Sequence, residues 1–322
     1  MSWAGLLAGY ALDLIVGDPR RWHPVAGYGR LAGGLERAIY APDRLRGTAF
    51  TTIAVGVPVA AAACLAPRRP WARFALTAVT TWTVLGGRSL AREGMALADE
   101  LAAGDLPAAR RRLPHLCGRD PSHLGASGMA RAGVESLAEN TSDAVVGPLV
   151  WGAILGLPGL IGYRAINTLD AMVGHRSARY ERFGTAAARL DDAANLIPSR
   201  LTAVLAAALA PLVGGSSRRA WRTWLRDGHR HPSPNSGQCE AAFAGALGVR
   251  LGGTNVYSGR TETRPELGTG PRPGAADLRR AARLSHFVGL GAVALAAAAS
   301  RSLSRRPSSH GRSCHGRLRP PA

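Results

Sequence analysis

Acidic and amide side chains sit at the borders of apolar runs in this chain, at spacings that gather them on common helix faces. In the segment 131–143, Arg131, Glu135, Glu139 and Asp143 follow one another at i,i+4. Three successive carboxylates repel one another unless a cation joins them. Arg131 offsets only part of that charge, so Mg²⁺ is a fitting guest. Further on, Asn167 and Asp170 stand at i,i+3 ahead of Gly174 and His175, and Asp191 and Asn195 stand at i,i+4. Asp191 and Asp192 are adjacent, so they cannot share a face; one can pair with Arg189 while the other reaches a ligand. Acids and amides beside membrane-length apolar runs are costly unless paired or functional.

Three turn motifs complete the set. Gly17-Asp18-Pro19 and His23-Pro24 put Asp18 and His23 before prolines, which disfavour helix at the preceding residue, so both are expected in extended turns. Ser233-Pro234-Asn235-Ser236-Gly237 leads into an Ala-rich helical run. Backbone N–H groups at such a helix start suit an anion such as phosphate, and the same letters describe an ordinary helix cap.

The elements that must hold these residues are helical. Apolar runs recur at Trp3–Val16, Ala49–Ala66, Trp71–Gly87, Ala144–Tyr163, Leu196–Gly214 and Phe287–Ala299. A bilayer crossing takes about 20 residues, with roughly 17 as the lower limit. The second, third and fourth runs reach that range; the first and last fall short. Pro67-Arg68-Arg69-Pro70 joins the second and third as a tight hairpin, and Leu157-Pro158-Gly159 interrupts the fourth as a broken or re-entrant helix would. The expected fold is an all-α polytopic membrane protein with large cytoplasmic loops. Residues 1–299 form one membrane-embedded domain, followed by a basic disordered tail at 300–322.

Charge supports this. All 40 cations are Arg, against 21 acids, giving a net charge of +19. Without Lys there is neither a Lys-bearing phosphate loop nor a Schiff-base lysine. Six Arg fall in residues 18–48 and seven in 88–143, with two in the hairpin turn, which puts both long segments in the cytoplasm. Aromatics are 6% and no nucleic-acid-reading module appears, so no nucleic-acid partner is expected. The basic tail and loops point to membrane lipid as a partner. Cys64, Cys117, Cys239 and Cys314 are too scattered for a disulfide framework and are expected as reduced thiols.

Five uncommon stretches stand in order: LDLIVGDPRRWHPVAGYGRL at 12–31, GRDPSHL at 118–124, VESLAENTSDAVVGPL at 134–149, RAINTLDAMVGHRSARYERFGTAAARLDDAANLIPSRLTA at 164–203 and SPNSGQCEAAFAGALGVRLGGTNVYSGR at 233–260. Together they resemble the adenosylcobinamide-phosphate synthase (CobD/CbiB) family of cobalamin biosynthesis, over most of residues 1–285. Gln238 and Cys239 stand where the family usually has an aromatic and a proline after SPNSG. The resemblance implies a multi-pass inner-membrane carbon–nitrogen ligase. It would join aminopropanol, or its phosphate, to the propionate carboxyl of adenosylcobyric acid, with Mg²⁺ and ATP consumed as cosubstrate and other late cobalamin-pathway enzymes as neighbours. It assigns Glu139, Asp143, Asp170, Asp191 and Asp192 to catalysis, with Glu139, Asp143 and Asp191 holding metal. Asp18, His23, Asn140, Asn167, His175, Asn235 and Ser236 would bind substrate, and Arg189 would clamp phosphate. The rival is a non-catalytic membrane corrinoid transporter or pathway scaffold. A transporter keeps its polar groups within spanning helices near the midplane, whereas here they sit at helix ends and in loops.

Overall fold

The computed structural model describes residues 2–19, 23–175, 177–257 and 260–304. It opens with α1 (Trp3–Val16), which stops at Gly17 with φ +73°. His23 caps the next helix, α2 (Pro24–Ile39), its Nδ1 accepting from the Val25 N–H at 3.2 Å. The apolar hairpin follows as α3 (Arg44–Cys64) and α4 (Pro70–Val84). Helices α1 and α4 lie in close register, because a Cβ on Gly5 would come 2.7 Å from Thr77 Cβ, and one on Gly9 2.5 Å from the Ala78 carbonyl. Small residues four apart let helix backbones approach where lipid offers no hydrophobic drive. Gly9→Leu is therefore expected to cost about 1–3 kcal/mol by overpacking and to lower the melting temperature of detergent-purified protein; an unchanged melting temperature would mean the two helices do not touch here.

Below this pair, α5 (Gly87–Ala102) begins where Asp13 of α1 accepts from the Arg88 N–H at 3.2 Å. That bond accounts for an acid inside the first apolar run. The short α6 (Leu106–Arg112) leads to α7 (Ala126–Thr141), buried along nearly all of its length. The apolar run that follows is broken, as its Leu-Pro-Gly predicts. After a π-helical turn at Ser142–Val146, α8 (Gly147–Leu155) ends at Gly156, φ +74°, and α9 (Leu157–Leu169) doubles back. A second π turn, Asp170–Gly174, closes α9.

α10 (Thr185–Ala194) and α11 (Leu196–Leu209) then meet at Asn195, and a 3₁₀ turn extends α11 to Val213. α12 (Ser217–Asp227) and α13 (Ser236–Leu247) pack tightly, since a Cβ on Gly245 would meet Ala220 Cα at 2.7 Å. An antiparallel hairpin, β1 (Leu251–Tyr257) and β2 (Arg260–Leu267), precedes α14 (Ala275–Ser304). α14 packs on α1, α5, α7, α8 and α11.

Among the described residues, three helices are long and apolar enough to cross a membrane: Arg44–Cys64, Leu196–Val213 and Ala275–Leu303. The fold is all-α apart from the hairpin. The spanning candidates differ from the apolar runs in four places: the broken fourth run gives two short helices and no candidate, and the fifth run supplies one, Leu196–Val213. The third run forms a helix of only 15 residues, and the short last run belongs to a 30-residue helix whose Arg-bearing first half dilutes its hydropathy. The helix continues through Ser304, and residues 305–322 of the expected tail lie outside the described residues. The Arg-rich segments meet at one end: Trp82 donates to the Gly17 carbonyl at 2.9 Å, and the Gly86 N–H to the Ala144 carbonyl at 3.2 Å. The Pro67–Pro70 turn stands at the opposite ends of α3 and α4.

Candidate active site

At that same end, the two π turns, the α10–α11 corner and the start of α13 enclose a cavity of about 580 Å³. All five expected catalytic acids line it: Glu139, Asp143, Asp170, Asp191 and Asp192. They come from three separate stretches of chain. The π turns carry two of them, and such turns, which widen the backbone by one residue, recur at functional sites. Asp143 lies within the first of these turns and Asp170 begins the second, and both line the cavity.

The acids are held by amides and a hydroxyl. Ser236 Oγ donates to Glu139 Oε1 at 2.7 Å, Asn167 Nδ2 to Asp143 Oδ2 at 3.4 Å, and Asn195 Nδ2 to Asp191 Oδ2 at 3.0 Å. Asn195 is itself fixed by the Tyr163 hydroxyl at 2.7 Å. The other carboxylate oxygen of Asp191 is buried without a hydrogen-bond partner, as a group awaiting a ligand would be. Burial, followed by repulsion from Asp170, pushes the Asp191 carboxyl up to about 7. Burial and then Asp192 push Asp170 up to about 6. Asp143 is raised well above the carboxylate range by burial and by Asp191, and burial also raises Asp192.

Of the expected substrate-binding residues, Asn140, Asn235 and Ser236 line the cavity, and Asn167 reaches it through Asp143. Asn140 turns its amide back to the Ser136 carbonyl at 2.9 Å. Asn235 is a strut: its amide donates to the Asp192 carbonyl at 2.8 Å, and its oxygen accepts from Ser199 and Arg200. Ser233 Oγ accepts from the N–H groups of both Asn235 and Ser236, so the SPNSG turn is closed by its own cap rather than left open for an anion. His175 stands beside Asp170, in edge contact with Tyr180. His23 lines a separate cleft with Arg30, Arg37 and Met172. Asp18 has a buried oxygen without a hydrogen-bond partner and lies outside the main lining. Arg189 is exposed and also lies outside it.

Several lining residues escaped the sequence reading. Glu240 is buried, and burial with repulsion from Glu135 and Glu139 raises its carboxyl. An acid inside the Ala-rich run 240–246 of an acid-poor chain was the available signal. Arg119 and Glu135 form a buried ion pair at 2.6 Å, and Glu135 also accepts from the Gly252 N–H at 2.7 Å. Arg131 turns away to the carbonyls of Gly252 and Thr254 on the hairpin. On the expected acidic face of α7, Arg131 and Glu135 are thus held by structural partners, while Glu135 and Glu139 both line the cavity. His231, Cys239 and Arg264 complete the wall; burial lowers the His231 pKa and raises that of the Cys239 thiol.

A family profile described as CobD/Cbib protein matches residues 6–285. Curated relatives named "Cobalamin biosynthesis protein CobD" include one from Mycobacterium tuberculosis, 54% identical over 294 residues and covering 91% of this chain and 94% of the relative. Another, from Geobacter metallireducens, is 48% identical over 285 residues, covering 85% and 89%. A third, from Rhodobacter capsulatus, is 44% identical over 292 residues, covering 87% and 92%. No solved structure matches.

Proposed function

The chain belongs to the CobD/CbiB family of cobalamin biosynthesis, and from that premise we propose that it forms the amide bond between aminopropanol, or its phosphate ester, and the propionate carboxyl of adenosylcobyric acid. The observation that carries this reading is the convergence of five acids, from three stretches of chain, on one cavity.

Amide formation from a carboxylate and an ammonium needs the carboxylate activated and the amine deprotonated. In the proposed sequence a propionate oxygen attacks the γ-phosphorus of ATP and ADP leaves. The neutral amine then attacks the acyl carbon of the acyl phosphate, and phosphate departs as the amide forms. The ammonium gives up two protons along the way. Asp191, raised to about 7, matches the general-base requirement of a pKa near the working pH. Asn195 donates to one oxygen of the Asp191 carboxyl and fixes it, and Ser236 orients Glu139.

Seven carboxylates line the cavity, counting Glu135 and Glu240, with Arg119 and Arg264 as the lining arginines. That excess of negative charge attracts an ammonium and repels ATP unless a cation enters. The donor set therefore fits Mg²⁺. Among the described residues no three His, Cys, Asp or Glu side chains are already gathered around one point for a metal. Mg²⁺ is usually held by one or two carboxylates together with waters and substrate phosphates, so no preformed cage is needed. Glu139 and Asp143 would hold it, with Asp191, expected as a third ligand, left free to act as the base; when bound, the ion supplies charge neutralisation at the transferred phosphoryl group. With Arg189 outside the lining, phosphate recognition in this proposal falls to the metal and Arg264. The positive-inside pattern supports a cytoplasmic active face, where ATP is made.

The test is a product assay on detergent-purified protein with adenosylcobyric acid, aminopropanol phosphate and Mg-ATP, read by mass spectrometry of the corrinoid. An ATP-dependent gain equal to the amine less water is expected. No conversion with corrinoid still bound would favour a scaffold or transporter. The pH profile follows from the same carboxylates. As pH falls from 8 to 5.5, Asp191 and then Asp170 take up protons and lose base function, so kcat at saturating substrates should fall about tenfold per pH unit below 7. A flat kcat across that range would remove the carboxylate base from the mechanism.

A further inference from the structure

Away from the cavity, α12 carries two faces of opposite character. Ala220, Thr223 and Asp227 are buried against α13 and its surroundings. On the other side Arg218, Trp221, Arg222 and Leu225 form one stripe at i, i+3, i+4 and i+7, all exposed, Trp221 at 44% and Leu225 at 60%. A bulky indole and a leucine in water, between two arginines, make a poor aqueous surface but a good membrane–water border, where Trp rings and Arg stems are favoured.

The stripe borders a groove of about 420 Å³ between α12 and the second half of α11, whose wall there is Val204, Ala207 and Ala208. That wall belongs to a helix long and apolar enough to cross a membrane. The groove therefore has an apolar side continuous with a candidate span and a cationic side made by Arg218 and Arg222. The arginines nearby are engaged: Arg219 donates to the Gly245 carbonyl at 2.8 Å, and Arg226 pairs with Asp227 at 2.7 Å. Arg218 and Arg222 face the groove instead.

We propose that Arg218, Trp221 and Arg222 bind the headgroup of an anionic phospholipid whose acyl chains lie along the Val204–Ala208 side of α11. The guanidinium forks match phosphate oxygens, the indole sits at headgroup depth, and the groove admits a chain. Charge complementarity selects the anionic lipid, because a zwitterionic headgroup brings its own cation to the two arginines. The site anchors α12, and with it α13 and Ser236 on the cavity wall, to the membrane surface.

The full chain, purified in detergent and titrated with phosphatidylglycerol or phosphatidylcholine, should retain phosphatidylglycerol preferentially in native mass spectrometry. The double variant R218Q/R222Q should lose that preference by about tenfold or more, whereas R68Q/R69Q in the distant hairpin turn should keep it. Ala208→Trp, which fills the groove and leaves both arginines, should also reduce retention. Unchanged retention in R218Q/R222Q would overturn the proposal. So would equal retention of the two lipids by the wild type, or full displacement of phosphatidylglycerol by inorganic phosphate, which would mark an anion site without a lipid.

Discussion

Asp191→Asn is expected to lower product formation by about 10²–10⁴-fold, the range for loss of a positioned general base, while the protein folds and becomes more stable at alkaline pH. The carboxyl is raised from its ordinary 3.8 to about 7, chiefly by burial. A raised acid holds its proton in the folded state where the unfolded chain has lost it. Its favourable contribution is complete below about pH 4 and is lost as pH rises through 7. Asparagine keeps the bond pattern with Asn195 approximately in place and carries no charge at any pH. The variant should therefore melt several degrees above wild type at pH 8 and close to it at pH 4.5. Near-normal turnover, or a wild type more stable than the variant at pH 8, would refute the role given to this residue. Gain of stability with loss of activity separates a working buried acid from one that merely braces the fold.

Glu135→Ala should do the reverse and damage the fold first. Glu135 and Arg119 pair at 2.6 Å with side chains only 5% and 4% exposed, and Glu135 also satisfies the Gly252 N–H. Removing one partner of a buried ion pair costs about 3–5 kcal/mol. In a detergent-purified sample this should appear as a large fall in melting temperature and in yield, with any folded fraction retaining ATP-dependent turnover. A variant of wild-type stability but no activity would move Glu135 from the frame into the chemistry.

The contrast between these two acids shows how far residue spacing reaches. Glu135, Glu139 and Asp143 have equal spacing in the chain, so periodicity assigns them one face and one role. All three line the cavity, but their partners differ: Arg119 and the β-hairpin hold Glu135, Ser236 holds Glu139, and Asn167 reaches Asp143. Spacing carries no information about a partner 16, 97 or 117 residues away. The clustering of acids at apolar borders was legible, since an acid-poor chain places few carboxylates there without reason, and Asp170, Asp191 and Asp192 reach the same cavity. The resemblance sets Arg189 beside them as a phosphate clamp, but a helix turns about 100° per residue and it emerges on the exposed side.

The same limits apply to the helices. The break in the fourth apolar run was written in Leu157-Pro158-Gly159, and the chain reverses at Gly156, with Gly159 tucked against the Trp151 carbonyl. The length of α14 was hidden, because its first half packs through Leu278, Ala281 and Ala282 while Arg279 reaches out to Asp99 at 2.7 Å, so hydropathy averages away there. The β-hairpin was not anticipated. Gly252 and Gly253, at φ +80° and +91°, allow the bulge that brings the hairpin backbone onto Arg131 and Glu135.

The most direct test of carboxyl activation in this cavity uses adenosylcobyric acid labelled with ¹⁸O in both oxygens of its free propionate carboxyl. Amide formation through an acyl phosphate transfers one labelled oxygen to the released phosphate and leaves the other in the amide carbonyl. One ¹⁸O per phosphate, in step with product and absent from Asp191→Asn, is the predicted result. Product formed with unlabelled phosphate would contradict the account.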